Sequence, residues 1–137
     1  MARITTLTYS LICYVLFNAV FLYLAAFLLE IGVSKTINSG EVGHWLPAVA
    51  INIGLVALFG ATHSIMARDW FKRWLTRFVP EVAERSTYVL QASLFLALVI
   101  WQWQPMPQTI WHVEGDAALL FYAAFGVGVV ILSLIHI

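Results

Sequence analysis

Trp45–Ala67 reads WLPAVAINIGLVALFGATHSIMA and runs straight into Arg68–Phe78, RDWFKRWLTRF. Up to Phe59 the one polar side chain is Asn52. Thr62, His63 and Ser64 then appear just before a loop that holds most of the cations. An apolar run of about 20 residues matches a hydrocarbon core of roughly 30 Å. The abrupt change to Arg68, Lys72, Arg73 and Arg77 marks where the chain leaves that core. This stretch decides the fold class: an all-α, polytopic membrane helix bundle.

Composition agrees. The chain has 137 residues, 62% hydrophobic and only 10% charged, where soluble domains carry about 25% charged residues. Seven Lys and Arg balance seven Asp and Glu, so no electrostatic footprint for nucleic acid is present. A lone cysteine, Cys13, excludes an intrachain disulfide and argues against a thiolate metal site. Its place is that of a small lipid- or core-facing side chain.

Outward from the opening stretch, three more spans are predicted, at 9–29, 86–104 and 117–137, beside the one at 45–67. The first is too long for the roughly 7–15-residue core of a signal peptide and lacks a cleavage site. The third is expected to start on Ser86-Thr87, both good N-cap types, and to stop at Pro105 and Pro107. The fourth runs to Ile137 without a polar tail, which suggests a chain truncated at its C-terminus. The whole is a single integral-membrane domain, 1–137.

Charge sets the orientation. Arg68, Lys72, Arg73, Arg77 and Arg85 all fall in the loop 68–85, which the positive-inside rule assigns to the cytoplasm together with the N-terminus and Arg3. Lys35 is the one cation in the opposite loops, where Trp45, Trp101, Trp103 and Trp111 form an aromatic belt. Within the basic loop Trp70, Trp74 and Phe78 recur every fourth residue, with Lys72, Arg73 and Arg77 largely on the other side. That spacing predicts a short interfacial amphipathic helix, aromatics toward lipid and cations toward headgroup phosphates, ended by Pro80. Glu81 and Arg85 have the spacing of a helical ion pair.

His63 is the candidate catalytic residue. Ionisable groups inside a span are costly and usually face a cavity or the bundle interior; the alternative is a neutral imidazole satisfied by a neighbouring helix. No carboxylate lies at ligand spacing to it, so no metal site is expected. Ser64 cannot easily serve as its nucleophile, because adjacent helical residues point about 100° apart. Arg68, Arg77 and Arg85 can grip phosphates or carboxylates through the guanidinium fork, or can merely orient the protein. Asn18, Asn52 and Gln91 are expected to hydrogen-bond between helices, and Gly54, Gly60, Gly126 and Gly128 to let helices approach closely.

Several of these residues carry a resemblance. They are Gly32–Gly40, Leu58-Phe59, His63–Arg68, Phe71–Trp74, Thr76–Glu81, Glu84–Leu90, Phe95 and Trp101-Gln102-Trp103-Gln104-Pro105. Together they resemble the integral-membrane methanethiol S-methyltransferases, relatives of NnrU-type membrane proteins and, more distantly, of isoprenylcysteine carboxyl methyltransferases. The His-Ser…Ala-Arg element is shared with the wider NnrU group; the run from Phe71 to Leu90 together with Trp101-Gln102-Trp103-Gln104-Pro105 points to the methyltransferase branch.

The resemblance implies an enzyme of the bacterial inner membrane that uses S-adenosylmethionine to convert methanethiol, a small thiol that partitions into the lipid bilayer, to dimethyl sulfide. It implies that His63 accepts the thiol proton or orients the thiolate, and that Arg68 or Arg85 holds the cofactor carboxylate. Such proteins continue past this length, and by analogy much of the cofactor pocket is expected in that further part. The chain is therefore expected to be an inactive N-terminal fragment. Two other functions stay open: an NnrU-like protein of nitrogen-oxide metabolism, and a non-catalytic module that binds a partner or anionic lipid through the basic loop.

Overall fold

The structure is a computed structural model that describes residues 2–108 and 112–135, with side chains from 3 to 108 and from 112 to 133. Trp111, His136 and the end of the fourth expected span lie outside those residues. The described chain is helical, with no strand: α1 (Ala2–Leu29), α2 (Trp45–Met66), α3 (Asp69–Leu75), α4 (Glu81–Gln102) and α5 (Asp116–Ile135). It divides into two compact units, Met1–Met106 and Pro107–Ile137.

In the first unit α4 is the central element, packed against both α1 and α2. Paired contacts give the directions. Ser86 meets Ser10 near the start of α4, and Phe27 meets Trp103 edge-on at its end, so α1 and α4 run parallel. Tyr88 meets His63 and Gln104 meets Asn52, so α2 runs antiparallel to α4. The three helices thus share two ends: a basic end, where α3 and the loop cations sit, and a far end.

The apolar stripe that buries α1 is Cys13, Phe17 and Phe21, one helical turn apart, with Phe27 further along. Phe17 and Phe21 stack at 5.6 Å. From α4 come Ala83, Ala92, Ser93 and Ile100, and from α2 Ala48, Asn52 and Met66. Small side chains of this kind allow close helix approach where lipid supplies no hydrophobic drive between helices. Cys13, only 1% exposed, takes the core-facing option.

Among the described residues, three helices are long and apolar enough to cross a membrane: Arg3–Leu29, Trp45–Met66 and Asp116–Ser133. The chain is a multi-pass membrane protein. Helix α4, which carries the expected span at 86–104, is not among those three: Glu81, Glu84, Arg85, Ser86, Thr87, Gln91 and Ser93 crowd its first half. That helix also begins earlier than expected. Pro80 stands at its N-cap and Glu81 and Glu84 in its first turn, where carboxylates complement the helix dipole. Ser86 and Thr87 are therefore interior residues, not caps: Thr87 donates to the Ala83 carbonyl (2.9 Å), and Ser86 donates to Ser10 Oγ (2.8 Å). Likewise α1 is helical from Ala2, well before Tyr9, since Arg3–Thr8 carries neither Gly nor Pro to stop it.

In the second unit α5 begins at Asp116 after Gly115, whose φ of 66° turns the chain into the helix. His112 and Glu114 lie 3.5 Å apart just before it.

Candidate functional site

The basic end is built from the last turn of α2, the short α3 and the first two turns of α4. After Met66 the chain turns at Ala67, whose N–H reaches the His63 carbonyl (3.3 Å), and Arg68 adopts extended backbone as the N-cap of α3. The amphipathic helix expected here exists, but it ends at Leu75. The N–H groups of Phe78 and Val79 close the following turn on the Leu75 carbonyl (2.9 and 3.0 Å), and Pro80 then opens α4. Trp70, Trp74 and Phe78 are exposed and linked through Phe71 as a continuous aromatic ridge, with ring centroids 5.2 to 5.7 Å apart.

Behind that ridge lies a cleft of about 420 Å³ lined by Ala67, Lys72, Glu84, Arg85 and Tyr88. Each side chain has a local reason to be there. On α4, Tyr88 follows Arg85 by three residues and Glu84 by four, so it shares a face with each. Lys72 is half-buried, whereas its neighbour Arg73 is exposed. The walls thus offer two cations, one carboxylate and one phenol.

His63 does not itself line this cleft. It sits one layer back, with Nε2 2.7 Å from the Tyr88 hydroxyl, the two rings 5.0 Å apart and Phe59 stacked on the imidazole at 5.6 Å. Its link to the cleft wall is the Tyr88 side chain. Of the expected cation pair, the structure brings Arg85 to the cleft and leaves Arg68 exposed on the turn before α3. Arg85 does not pair with Glu81 as their spacing allowed; the ion pair seen among the described residues is His112 with Glu114. Ser64 is exposed, and Thr62 returns its hydroxyl to the carbonyls of Leu58 and Phe59 (2.9 and 3.0 Å).

Sequence reasoning missed Lys72, Glu84 and Tyr88. A signal for two of them exists, since Tyr88 stands at helical spacing from both Glu84 and Arg85. A helix beginning at Ser86 hides it by leaving Glu84 and Arg85 in the preceding loop.

The other polar residues of the long helices divide. Asn52 hydrogen-bonds across elements as expected: Nδ2 donates to the Gln104 carbonyl (2.8 Å) and Oδ1 accepts from the Gln104 N–H (2.9 Å). Asn18 instead donates to the Tyr14 carbonyl of its own helix (2.8 Å), so it links nothing. Gln91 Oε1 is buried without a hydrogen-bond partner among the described residues.

Comparison with known proteins fixes the relationship. The chain is 46% identical over 134 residues to a methanethiol S-methyltransferase of Pseudomonas sp. strain GM41, an alignment that covers 96% of this chain and 52% of that protein. The chain is a homologue of the methanethiol S-methyltransferases. The protein of that name from Mycobacterium tuberculosis is 41% identical over 129 residues, 93% of this chain and 53% of its own length. Nurim of Sus scrofa is 36% identical over 73 residues, 52% of this chain and 28% of that protein. The chain spans about half the length of the methanethiol S-methyltransferases it matches. No protein-family profile matches it, and no solved structure is significantly similar.

Proposed function

We propose that the chain forms part of a membrane-bound, S-adenosylmethionine-dependent S-methyltransferase that converts methanethiol to dimethyl sulfide, and that the basic-end cleft is its working site. Similarity to proteins named for that activity supports the reaction class. The observation that carries the site is the cleft itself, with Lys72, Glu84, Arg85 and Tyr88 in its wall at the end of otherwise apolar helices.

The donor set suits the cofactor. Arg85 and Lys72 complement a carboxylate, with Arg85 able to grip it through two parallel N–H bonds. Glu84 complements an ammonium or a sulfonium. The cleft volume falls within the roughly 300–1,000 Å³ of small-molecule sites. When bound, S-adenosylmethionine supplies an electrophilic methyl group on a positively charged sulfur.

The remaining work belongs to the protein: to position a thiol sulfur in line, exclude water and take up the thiol proton. An apolar thiol reaches such a site from the bilayer, while a charged cofactor arrives from the aqueous side. The positive-inside rule makes that side the cytoplasm of an inner membrane. In this arrangement α4 is a fourth crossing helix. Its polar first half is tolerated because it faces α1, α2 and the cleft, and polar groups in a membrane persist where neighbouring protein satisfies them.

Since the named relatives are about twice as long, further walls of the site are assigned to sequence outside this alignment, and turnover by the chain alone is not expected. The test is equilibrium binding of radiolabelled S-adenosylmethionine to the chain in lipid nanodiscs, with headspace detection of dimethyl sulfide after methanethiol is added. Saturable binding that weakens in Arg85→Ala supports the reading. Undetectable binding at millimolar cofactor, or binding indifferent to Arg85, removes the cleft from it.

A second reading has one observation in its favour. The exposed Trp70, Trp74 and Phe78 beside Arg73 and Arg77 form a surface suited to anionic lipid headgroups. A non-catalytic lipid-binding module would require that surface and leave the cleft free of cofactor.

A further inference from the structure

We infer that Tyr88, not His63, is the group that meets the thiol, and that the two form a proton relay with Tyr88 in front and His63 behind. The inference rests on the methyl-transfer reading of the cleft. Three observations carry it. Tyr88 lines the cleft and His63 does not. The Tyr88 hydroxyl lies 2.7 Å from His63 Nε2, within the distance of a strong O–H···N bond. Phe59 stacks on the imidazole and the phenol ring packs 5.0 Å from it, so the ring is held with Nε2 toward Tyr88.

The relay balances as follows. The thiol S–H bond breaks and its proton bonds to Tyr88 Oη. At the same time the Tyr88 O–H bond breaks and that proton bonds to His63 Nε2. Tyr88 ends neutral and unchanged, His63 ends as imidazolium, and the sulfur keeps the electron pair that forms the new S–C bond. Lys72 and Arg85 in the same wall favour the thiolate, as cations favour thiolate over thiol elsewhere. The arrangement also explains a phenol at this position: it carries the base's reach into the cleft while the imidazole stays out of contact with the cofactor.

The relay makes a demand on His63 that a structural hydrogen bond does not: the imidazole must gain a proton when a thiol binds, and only through Tyr88. The test uses the chain labelled with ¹⁵N-histidine in lipid nanodiscs, with thiophenol as an acidic, apolar thiol probe and His63→Gln to assign the signal. In the wild type, Nε2 is expected unprotonated before thiol is added, with Tyr88 as the donor. Saturating thiophenol then converts His63 to imidazolium. In Tyr88→Phe, which keeps the packed ring, the ratio of protonated to neutral His63 at saturating thiol is expected to fall by about tenfold or more.

A His63 signal that ignores thiophenol in the wild type, or that responds equally in Tyr88→Phe, overturns the relay. So does an Nε2 that carries its proton before thiol is added. None of these readouts needs cofactor or turnover. Loss of S-adenosylmethionine binding therefore counts against the methyl-transfer reading, and a silent His63 counts against the relay.

Discussion

The two ends of the three-helix unit are held together by different kinds of bond. At the far end, the bonds that join separate elements end on backbone. Asn52 pairs with both polar groups of the Gln104 peptide, the Lys35 ammonium donates to the Trp101 carbonyl, and the Ile37 N–H returns to the Phe27 carbonyl (3.1 Å). The loop between α1 and α2 is folded on itself as well. Glu30, at a φ of 58°, accepts from Asn38 (2.6 Å) and Thr36 (3.4 Å), and Gly40, at 121°, lies against Pro105. At the basic end the bonds between helices join side chain to side chain instead: Tyr9 with Thr87 (3.0 Å), Ser86 with Ser10 (2.8 Å) and Tyr88 with His63 (2.7 Å).

A bond to backbone satisfies a peptide group that would otherwise be stranded in a dry environment, so it contributes chiefly to the fold. A bond between side chains beside a cleft leaves the partners free to exchange protons and ligands. The far end is thus closed on peptide groups, while the basic end keeps side-chain pairs beside the cleft proposed as the site.

The sharpest way to break that contrast is at Arg85. Arg85→Ala is expected to weaken S-adenosylmethionine binding by roughly 10- to 100-fold, the size of a lost charge-assisted bidentate contact, with little change in thermal stability. Equilibrium binding and a detergent melt, run side by side, read both quantities. A large stability loss with unchanged binding would make the basic end structural like the far end.

The mirror experiment is Asn52→Leu. It leaves the N–H and carbonyl of Gln104 unpaired beside α2, at an expected cost of about 1–3 kcal/mol, and should leave cofactor affinity untouched. Unfolding in mixed micelles measures the first and binding the second.

Gln91→Leu is expected to stabilise the unit by about 1 kcal/mol, because it removes a buried carbonyl oxygen that lacks a partner among the described residues. If it lowers cofactor or thiol binding instead, the polar region of α4 reaches a turn deeper than the cleft wall. Smallest of all is Arg68→Ala. Exposed and outside the cleft, Arg68 should change binding less than about twofold, the scale of an exposed charge.

These predictions also show what was legible in advance. The contrast of ends could be read from the cations of 68–85 against the tryptophans of the far loops. The position of His63 just inside the basic end was equally plain, because hydropathy and charge belong to single residues in order. The start of α4 was not legible. Ser86 and Thr87 are good caps in isolation, but their hydroxyls found partners on α1 and in the preceding turn, and Pro80 with two acidic residues after it made the better beginning. With that start misplaced, the face carrying Glu84, Arg85 and Tyr88 fell across a loop and a helix and was not seen as one surface. Asn18 and Asn52 read alike as polar residues in apolar runs. Only the rotation of each helix decided that one turned back to its own backbone and the other reached across.

That this protein is a set of apolar helices with a basic end, and an intramembrane histidine beside it, is written in its primary structure. Those properties follow from residue type and spacing along the chain. Helix packing sets the rest: α4 stands between α1 and α2, Arg85 rather than Arg68 enters the cleft, and Tyr88 separates His63 from it. Each of those depends on the depth and rotation at which helices far apart in sequence meet, and one residue of helical phase, about 100°, exchanges the side chain in a site for one in lipid.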